Sequence, residues 1–185
     1  MHKLAIIVGS LRQGSFNRQL AEAISKLIPK EITIDWIKLD DVPIYNGDYE
    51  MNLPAPVKRL KDQIKDADAV LLVTPEYNRS IPAVLKNAID WATRPPGTSV
   101  WGSKPVAIIG ISPGAIGTAA AQQHLRNTLS AVGALTMPQP EIYVTYKEGM
   151  FSSNGEIADA KFKEILQKFI AHFIIWVTKN SKGNL

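Results

Sequence analysis

The 185-residue sequence contains no cysteine. This absence excludes disulfide bonds, a thiolate nucleophile, cysteine-ligated zinc and iron–sulfur clusters, and it is consistent with a cytoplasmic protein. Hydrophobic residues make up 45% of the chain and charged residues 21%, which is a globular rather than a disordered composition. At about 150 residues per domain, the length predicts a single domain spanning residues 1–185.

Long apolar segments are also missing. The apolar runs, such as residues 4–8, are far shorter than the ~20 residues that a membrane-spanning helix needs. The N-terminal run follows Met1, His2 and Lys3 and ends in Gly-Ser, which is too short and ends wrongly for a secretory signal. We therefore expect neither a membrane span nor a signal peptide.

Positive charge is present in excess but is not concentrated. The formal net charge is +4, which could indicate a nucleic-acid partner. The densest basic stretch is interrupted by two aspartates, as expected of a solvated helix face: Lys58, Arg59, Lys61, Asp62, Lys65 and Asp66. No basic stripe interleaved with aromatic residues is present, so we expect no nucleic-acid partner.

Short hydrophobic segments predict five strands. Three are continuous apolar runs, typical of strands buried on both faces of a parallel sheet, at 4–8, 69–73 and 106–111. Two others alternate apolar and polar residues, as half-exposed strands at sheet edges do: Ile32, Ile34 and Trp36, and then Ile142, Val144 and Tyr146.

Helical periodicity separates these strands. Apolar residues recur at helical spacing from about Leu20, Val57, Ile81, Gly117 and Phe162 onward. A β-α unit repeated five times with right-handed crossovers predicts an α/β, three-layer, doubly wound fold around a five-stranded parallel sheet. With the second and fifth strands at the edges, the strand order is 2-1-3-4-5, which is the flavodoxin-like arrangement.

Ligands of such sheets bind beyond the carboxyl ends of the strands. Three loops of unusual composition follow the three buried strands. We call residues 9–17 loop 1, residues 74–82 loop 2 and residues 112–118 loop 3. Parallel strands bring these loops to the same edge, so we expect them to form one crevice.

Loop 1 has the composition of a phosphate site. It does not match the dinucleotide-binding fingerprint G-x-G-x-x-G, because residue 11 is leucine. It does not match a P-loop either, because Ser15 stands where a P-loop requires lysine. Hydroxyl and amide donors, the Arg12 guanidinium and a helix N-terminus remain, and together these suit one terminal phosphate. The alternative is a simple turn in which Ser15 caps the helix.

Loops 2 and 3 have the composition of a site for a planar ring. In loop 2 a strand ends in proline, followed by polar and aromatic residues and a proline-started helix, which makes a stiff loop. In loop 3 small residues permit close approach of the backbone to a flat ligand. The alternatives are a capped turn with a surface tyrosine and a tight strand–helix turn. The three loops together favour a mononucleotide over a dinucleotide.

Longer motifs resemble the NADPH-dependent FMN reductase family, the flavodoxin-like group that includes bacterial quinone, azo-dye and chromate reductases. They are G-S-L-R at 9–12, running on to Asn17, and P-E-Y-N-R-S-I-P at 75–82, followed by L-K-N-A-I-D-W at 85–91. The segment P-I-Y-N-G-D at 43–48 is also similar to the family. The resemblance extends from about Lys3 to Glu141.

The resemblance implies FMN as cofactor, with NADPH or NADH as co-substrate. It implies that residues of loop 1 bind the FMN phosphate: Ser10, Arg12, Ser15, Phe16 and Asn17. Residues of loop 2 then line the isoalloxazine edge, and two residues of loop 3 complete the site: Pro75, Glu76, Tyr77, Asn78, Ser112 and Gly114. Thr118 departs from the family pattern, in which a second glycine often follows Gly117, and is expected to affect how closely the chain approaches the flavin.

The activity implied is an FMN-dependent NAD(P)H oxidoreductase. Hydride would pass to flavin N5, and electrons would pass on by a ping-pong mechanism to quinones, azo compounds, chromate or free flavin. Because the cofactor carries this chemistry, no catalytic side chain and no metal is assigned. The alternative is a non-enzymatic electron carrier of flavodoxin type, but such carriers tend to be acidic and this chain is basic.

The family resemblance also implies a homodimer or homotetramer that acts on small-molecule electron acceptors. Ile175 and Trp176 lie off the main apolar stripe of the last helix, and exposed apolar side chains there are consistent with an interface. The alternative is a helix that is buried on more than one side.

Overall fold

The computed structural model describes residues 1–152 and 154–180. Over these residues strands and helices mostly alternate; the exceptions are a 3-10 helix directly before the second α-helix and two short strands in succession before the last helix. The elements are β1 Lys3–Val8, α1 Phe16–Ser25, β2 Thr33–Ile37, a 3-10 helix Gly47–Asn52, α2 Ala55–Asp66, β3 Ala69–Val73, α3 Ala83–Ala92, β4 Pro105–Ser112, α4 Ala119–Ala131, β5 Leu135–Thr136, β6 Tyr143–Thr145 and α5 Ala160–Asn180.

The strands form one parallel sheet in the order β2-β1-β3-β4-β5. Ile6 of β1 is paired with Trp36 of β2 on one side and with Leu71 of β3 on the other. Every residue of β3 is buried, because helices cover both faces of the sheet. The predicted flavodoxin-like order 2-1-3-4-5 is confirmed.

The fifth position of the sheet is divided between two short strands. β5 pairs with the start of β4, and β6 pairs with its end. The sequence predicted only the second of these strands. Pro138 and Pro140 lie between them, and proline cannot donate a ladder hydrogen bond, so a continuous edge strand is interrupted here.

Two apolar layers lie on opposite faces of the sheet. Ile6 points to the layer that contains Leu20 of α1 and Phe169 of α5. Ile7, its neighbour in β1, points to the other layer, which contains Leu60 of α2 together with residues of α3 and α4. This division produces the predicted three-layer fold. Among the helices of the described residues, none is both long enough and apolar enough to cross a membrane.

The two candidate interface residues on α5 differ in their surroundings. Ile175 is 52% exposed. Trp176 is partly buried against the core, and its indole Nε1 donates a hydrogen bond of 3.3 Å to the carbonyl of Leu135. Of these two residues, therefore, only Ile175 presents a largely exposed apolar side chain, and the homodimer or homotetramer stays a prediction.

Candidate active site

The three loops meet at the carboxyl edge of the sheet and form a crevice of two adjoining cavities. The first, of about 250 Å³, is lined by loop 1 and the start of loop 2. The second, of about 330 Å³, is lined by loop 3 and the middle of loop 2. They share Glu76, Ser112 and Pro113. All the residues predicted for the site line one or both cavities: Ser10, Arg12, Ser15, Phe16, Asn17, Pro75, Glu76, Tyr77, Asn78, Ser112 and Gly114.

Gly9 allows loops 1 and 2 to approach closely. Its N–H continues the ladder with a hydrogen bond of 2.9 Å to the carbonyl of Val73. A Cβ atom at this position would lie 2.9 Å from Cγ of Pro82 and 3.3 Å from Cδ of Pro75. A side chain here would therefore push apart the two loops that form the first cavity.

The start of α1 is a positively polarised end that faces the first cavity. Ser15 is the N-cap, and its Oγ accepts a hydrogen bond of 3.3 Å from the N–H of Arg18. The amides of Phe16 and Asn17 have no intrahelical acceptor at this position. The first turn of α1 contains no acidic residue, so the partial positive charge of the helix end is not neutralised locally.

Arg12 is held beside this helix end by two contacts, and the ring that makes the second is itself stacked on a tyrosine. Its Nη2 donates a hydrogen bond of 2.9 Å to the carbonyl of Gly14. Its guanidinium lies 5.0 Å from the centre of the Phe16 ring, and Phe16 stacks on Tyr146 with ring centres 3.7 Å apart. Tyr146 was not predicted as a site residue. Its position directly after β6, at the carboxyl end of a strand, is the signal that could have found it.

Asn17 connects loop 1 to β4. Its Nδ2 donates to the carbonyl of Ile111 at 2.8 Å, and its Oδ1 accepts from the N–H of Ile111 at 3.0 Å. The side chain is buried and both of its polar ends are engaged in these bonds. A role of Asn17 in phosphate binding stays a prediction, and in this arrangement its backbone N–H is the group available for it.

Loop 2 contains a tight turn with two residues in the left-handed region. Tyr77 and Ser80 exchange two backbone hydrogen bonds of 3.0 Å each. Between them Asn78 has φ 51° and Arg79 has φ 64°. Positive φ at both central positions defines a type I′ turn. The turn holds Tyr77, which is half exposed, at the mouth of the crevice.

Glu76 fixes loop 2 to α4. One carboxylate oxygen accepts a hydrogen bond of 3.1 Å from the N–H of Ala121 in the first turn of α4. The other lies 3.5 Å from Nη1 of Arg79. Thr118, the N-cap residue of α4, makes no side-chain capping bond, so Glu76 supplies the cap from another loop.

Loop 3 is closed by its own hydrogen bonds. The Oγ of Ser112 donates to the carbonyl of Gly117 at 2.5 Å and accepts from the N–H of Gly114 at 3.2 Å. Gly117 has φ +59°, and a Cβ atom there would lie 2.8 Å from the backbone of Tyr143 and Val144. Loop 3 therefore contributes a small, fixed wall to the second cavity.

Thr118 lies behind this wall rather than in it. It is fully buried, and its Oγ1 accepts a hydrogen bond of 2.9 Å from Nε2 of Gln122. The same hydroxyl covers Gly110, where a Cβ atom would lie 2.5 Å from it. Thr118 lines neither cavity, and its expected effect on how closely the chain approaches the flavin stays a prediction.

Comparison with known proteins is consistent with this geometry. The profile of the NADPH-dependent FMN reductase family matches residues 2–149. The chain belongs to this family. It is similar to a 2-hydroxy-1,4-benzoquinone reductase of a Burkholderia species, with 49% identity over 95% of this chain and 96% of the relative. It is also similar to a quinone reductase of Pseudomonas putida, with 42% identity over 97% of each chain.

A solved structure is similar over the whole fold. The flavoenzyme NAD(P)H:(acceptor) oxidoreductase FerB from Paracoccus denitrificans superposes with a TM-score of 0.94 at 43% identity, covering 98% of this chain and all of that one. The resemblance to the family, the NAD(P)H-dependent enzyme class and the use of FMN are thereby confirmed. The alternative of a non-enzymatic electron carrier is not supported.

The donor set of this reductase fits FMN. Loop 1 presents two serine hydroxyls, one guanidinium and a helix end without a first-turn carboxylate to the first cavity, which suits a phosphate monoester. The one carboxylate of the crevice wall, Glu76, is bonded to Ala121 and lies beside Arg79. Within the described ranges no group of three His, Cys, Asp or Glu residues could hold a metal ion.

The family motif at 85–91 has a structural role in the reductase. Asn87 of α3 accepts from the N–H of Tyr45 and donates to the carbonyl of Pro43, each at 2.8 Å, and the Trp91 indole donates to the same carbonyl at 2.8 Å. The Tyr45 ring packs edge-on against Trp91. A hydrogen bond from its hydroxyl to Glu50 raises the pKa of Tyr45, and burial adds to this effect. The motif therefore anchors the 43–48 segment.

Proposed function

We propose that this reductase transfers two electrons from NAD(P)H to quinones, with FMN bound in the crevice of loops 1, 2 and 3. The observation that carries the proposal is the convergence of a phosphate-suited helix end and a stiff, small-residue wall in one crevice. The quinone reductases among its relatives support the substrate class.

Loop 1 would hold the cofactor phosphate. The hydroxyls of Ser10 and Ser15 and the amides of Phe16 and Asn17 would donate hydrogen bonds, and Arg12 would supply the compensating charge. Arg12 is already restrained by its contacts with Gly14 and Phe16, so less side-chain entropy is lost when the phosphate binds.

Loops 2 and 3 would hold the flavin ring. Pro75, Glu76, Tyr77 and Asn78 form one wall, and Ser112 and Gly114 belong to the other. The Glu76 bond to α4 and the tight turn at Tyr77 and Ser80 keep the first wall fixed without help from the ligand. A preformed slot orients a flat ring and lowers the entropic cost of binding it.

The bound flavin supplies the redox chemistry by accepting a hydride from the nicotinamide and passing two electrons on. Overall, NAD(P)H loses a hydride, solvent supplies one proton, and the quinone becomes a hydroquinone. The protein positions the reactants: the exposed mouth beside Tyr77 and Ile116 admits donor and acceptor in turn. Binding of donor and acceptor in turn corresponds to a ping-pong mechanism. Because the mouth of the crevice is open, azo compounds, chromate and free flavin could also serve as acceptors.

Steady-state kinetics tests the proposal. The FMN-loaded protein is assayed with NADPH and NADH at several fixed concentrations of 1,4-benzoquinone, an azo dye, chromate and free FMN. We expect quinone-dependent NAD(P)H oxidation and parallel lines in double-reciprocal plots, because donor and acceptor occupy the crevice in turn. FMN-loaded protein that oxidises NAD(P)H with none of the four acceptors would refute the proposed activity, and intersecting lines would refute the alternation.

A further inference from the structure

Arg79 is a charged residue in a backbone conformation that suits glycine or asparagine better. Its φ is 64°, and it follows Asn78 in the type I′ turn of loop 2. A long side chain in the left-handed region costs stability, and such positions cluster at functional sites. The strained backbone therefore makes Arg79 a candidate for a functional role.

The Arg79 side chain borders the second cavity and is weakly paired. It is 71% exposed, and its Nη1 lies 3.5 Å from a carboxylate oxygen of Glu76. The other Glu76 oxygen is bonded to the N–H of Ala121, so the carboxylate is shared with the start of α4. Although the Glu76 carboxylate is nearly buried, a separation of 3.5 Å is long for a charge-assisted hydrogen bond, so the exposed guanidinium remains able to bind another anion.

The oxidised cofactor does not provide that anion in the proposed arrangement. Its negative charge lies on the phosphate, which loop 1 and Arg12 would bind, and the ring of oxidised flavin carries no net charge. Arg79 lies at the loop 3 cavity instead, beside Pro113, Ala115 and Ile116. A small cavity with this partly apolar wall suits a compact aromatic acceptor with a negatively charged substituent.

We propose that Arg79 selects anionic acceptors, specifically ring-hydroxylated quinones, whose vinylogous acid group is ionised at neutral pH. This inference rests on the proposed function. The planar fork of guanidinium donors matches an enolate oxygen and a neighbouring carbonyl oxygen. Arg79 contributes binding only: the quinone still gains two electrons and one proton from NAD(P)H through the flavin and a second proton from solvent.

The test compares two acceptors of similar size, 2-hydroxy-1,4-naphthoquinone, which is an anion, and 2-methoxy-1,4-naphthoquinone, which is neutral. The measured quantity is the ratio of their kcat/KM values in the wild type, Arg79→Gln, Arg79→Lys and Arg79→Gly. We expect the ratio to fall about 5- to 10-fold in Arg79→Gln and Arg79→Gly and about 2-fold in Arg79→Lys. Comparing this ratio between each variant and the wild type cancels the intrinsic redox difference between the two quinones.

A binding measurement complements the kinetics. Difference absorbance of the FMN-loaded protein without NAD(P)H gives the dissociation constant of each quinone, and the anion is expected to lose affinity selectively. The matched control is Lys65→Gln, which removes one positive charge from the end of α2 at the opposite edge of the sheet. In this control the ratio of kcat/KM values and the ratio of dissociation constants for the two quinones should equal those of the wild type. Arg79→Gly should melt no lower than Arg79→Gln, because glycine adopts this φ without strain.

Three results would overturn the inference. An equal fall in kcat/KM for both quinones would mean that Arg79 does not distinguish anionic from neutral acceptors. A rise in KM for NADPH alone, with the quinone ratio unchanged, would assign the guanidinium to the phosphate of the donor. Protein that binds no FMN and reduces neither quinone would refute the proposed function and this inference with it.

Discussion

Several polar side chains around the crevice hold the loops in place. Asn17 bonds α1 to β4, Glu76 bonds loop 2 to α4, and Thr118 bonds to Gln122 behind loop 3. The first two bonds each join a segment of the crevice wall to another element, whereas the third lies within the start of α4, directly behind loop 3. Sequence motifs identified the first two as site residues, but whether a side chain faces the ligand or the protein depends on distant partners such as Ile111 and Ala121.

Thr118 provides a direct test of this distinction. Thr118→Val keeps the shape but removes the acceptor of the Gln122 bond, which should lower the free energy of unfolding by about 1 kcal/mol. Thr118→Gly also removes the buried methyl group, and glycine loses more conformational entropy on folding. We therefore expect the free energy of unfolding to fall by about 2–4 kcal/mol. Urea unfolding of the cofactor-free protein measures both. FMN affinity should change little in Thr118→Val; a large loss of affinity without loss of stability would place Thr118 in the site.

The strand order could be predicted because burial differs between elements. β3 and the central parts of β1 and β4 are continuous apolar runs, whereas the sequence of β2 alternates, and this contrast placed β2 at an edge. β5 was missed because a strand of two residues, Leu135 and Thr136, is too short to show any periodicity. The type I′ turn was missed too, since Asn78-Arg79 lacks the glycine that usually marks such a turn.

Helix α3 shows why a motif can be recognised before its role is known. Asn87 and Trp91 lie one helical turn apart and bond to Pro43 and Tyr45, which are more than 40 residues away in sequence. Nothing local to residues 85–91 reveals those partners. The structure shows that this part of the family motif supports a segment outside loops 1, 2 and 3.

Replacing Asn87 tests that support. Asn87→Leu has a similar volume but leaves the N–H of Tyr45 without its acceptor, so we expect a loss of about 2–3 kcal/mol in the free energy of unfolding and faster proteolysis within residues 43–52. Trp91→Phe removes one donor to Pro43 but keeps both Asn87 bonds, so proteolysis within residues 43–52 should increase less, while the cavity left at this fully buried position lowers the free energy of unfolding. Equal protease resistance of Asn87→Leu and the wild type would show that the segment is held in another way.

Across the whole molecule, the excess of positive charge has little bearing on the fold. The net charge of +4 is spread over the surface, and the two arginines that border the crevice, Arg12 and Arg79, have separate proposed tasks. The chemistry is concentrated at the carboxyl edge of the sheet because all three buried strands end there. A ligand bound at this edge stabilises the entire fold, by an amount that grows with its concentration relative to its dissociation constant.

The most direct test of the account compares FMN with riboflavin, which lacks only the phosphate, by fluorescence titration of the cofactor-free protein. Charge-assisted hydrogen bonds contribute about 1.5–3 kcal/mol each, so two of them predict at least ~100-fold tighter binding of FMN. Arg12→Gln should weaken FMN about 10-fold and leave riboflavin unaffected, whereas Arg18→Gln, which removes the charge of an exposed arginine paired with Glu22, should affect neither. Equal affinities of the wild type for FMN and riboflavin would contradict a phosphate site in loop 1.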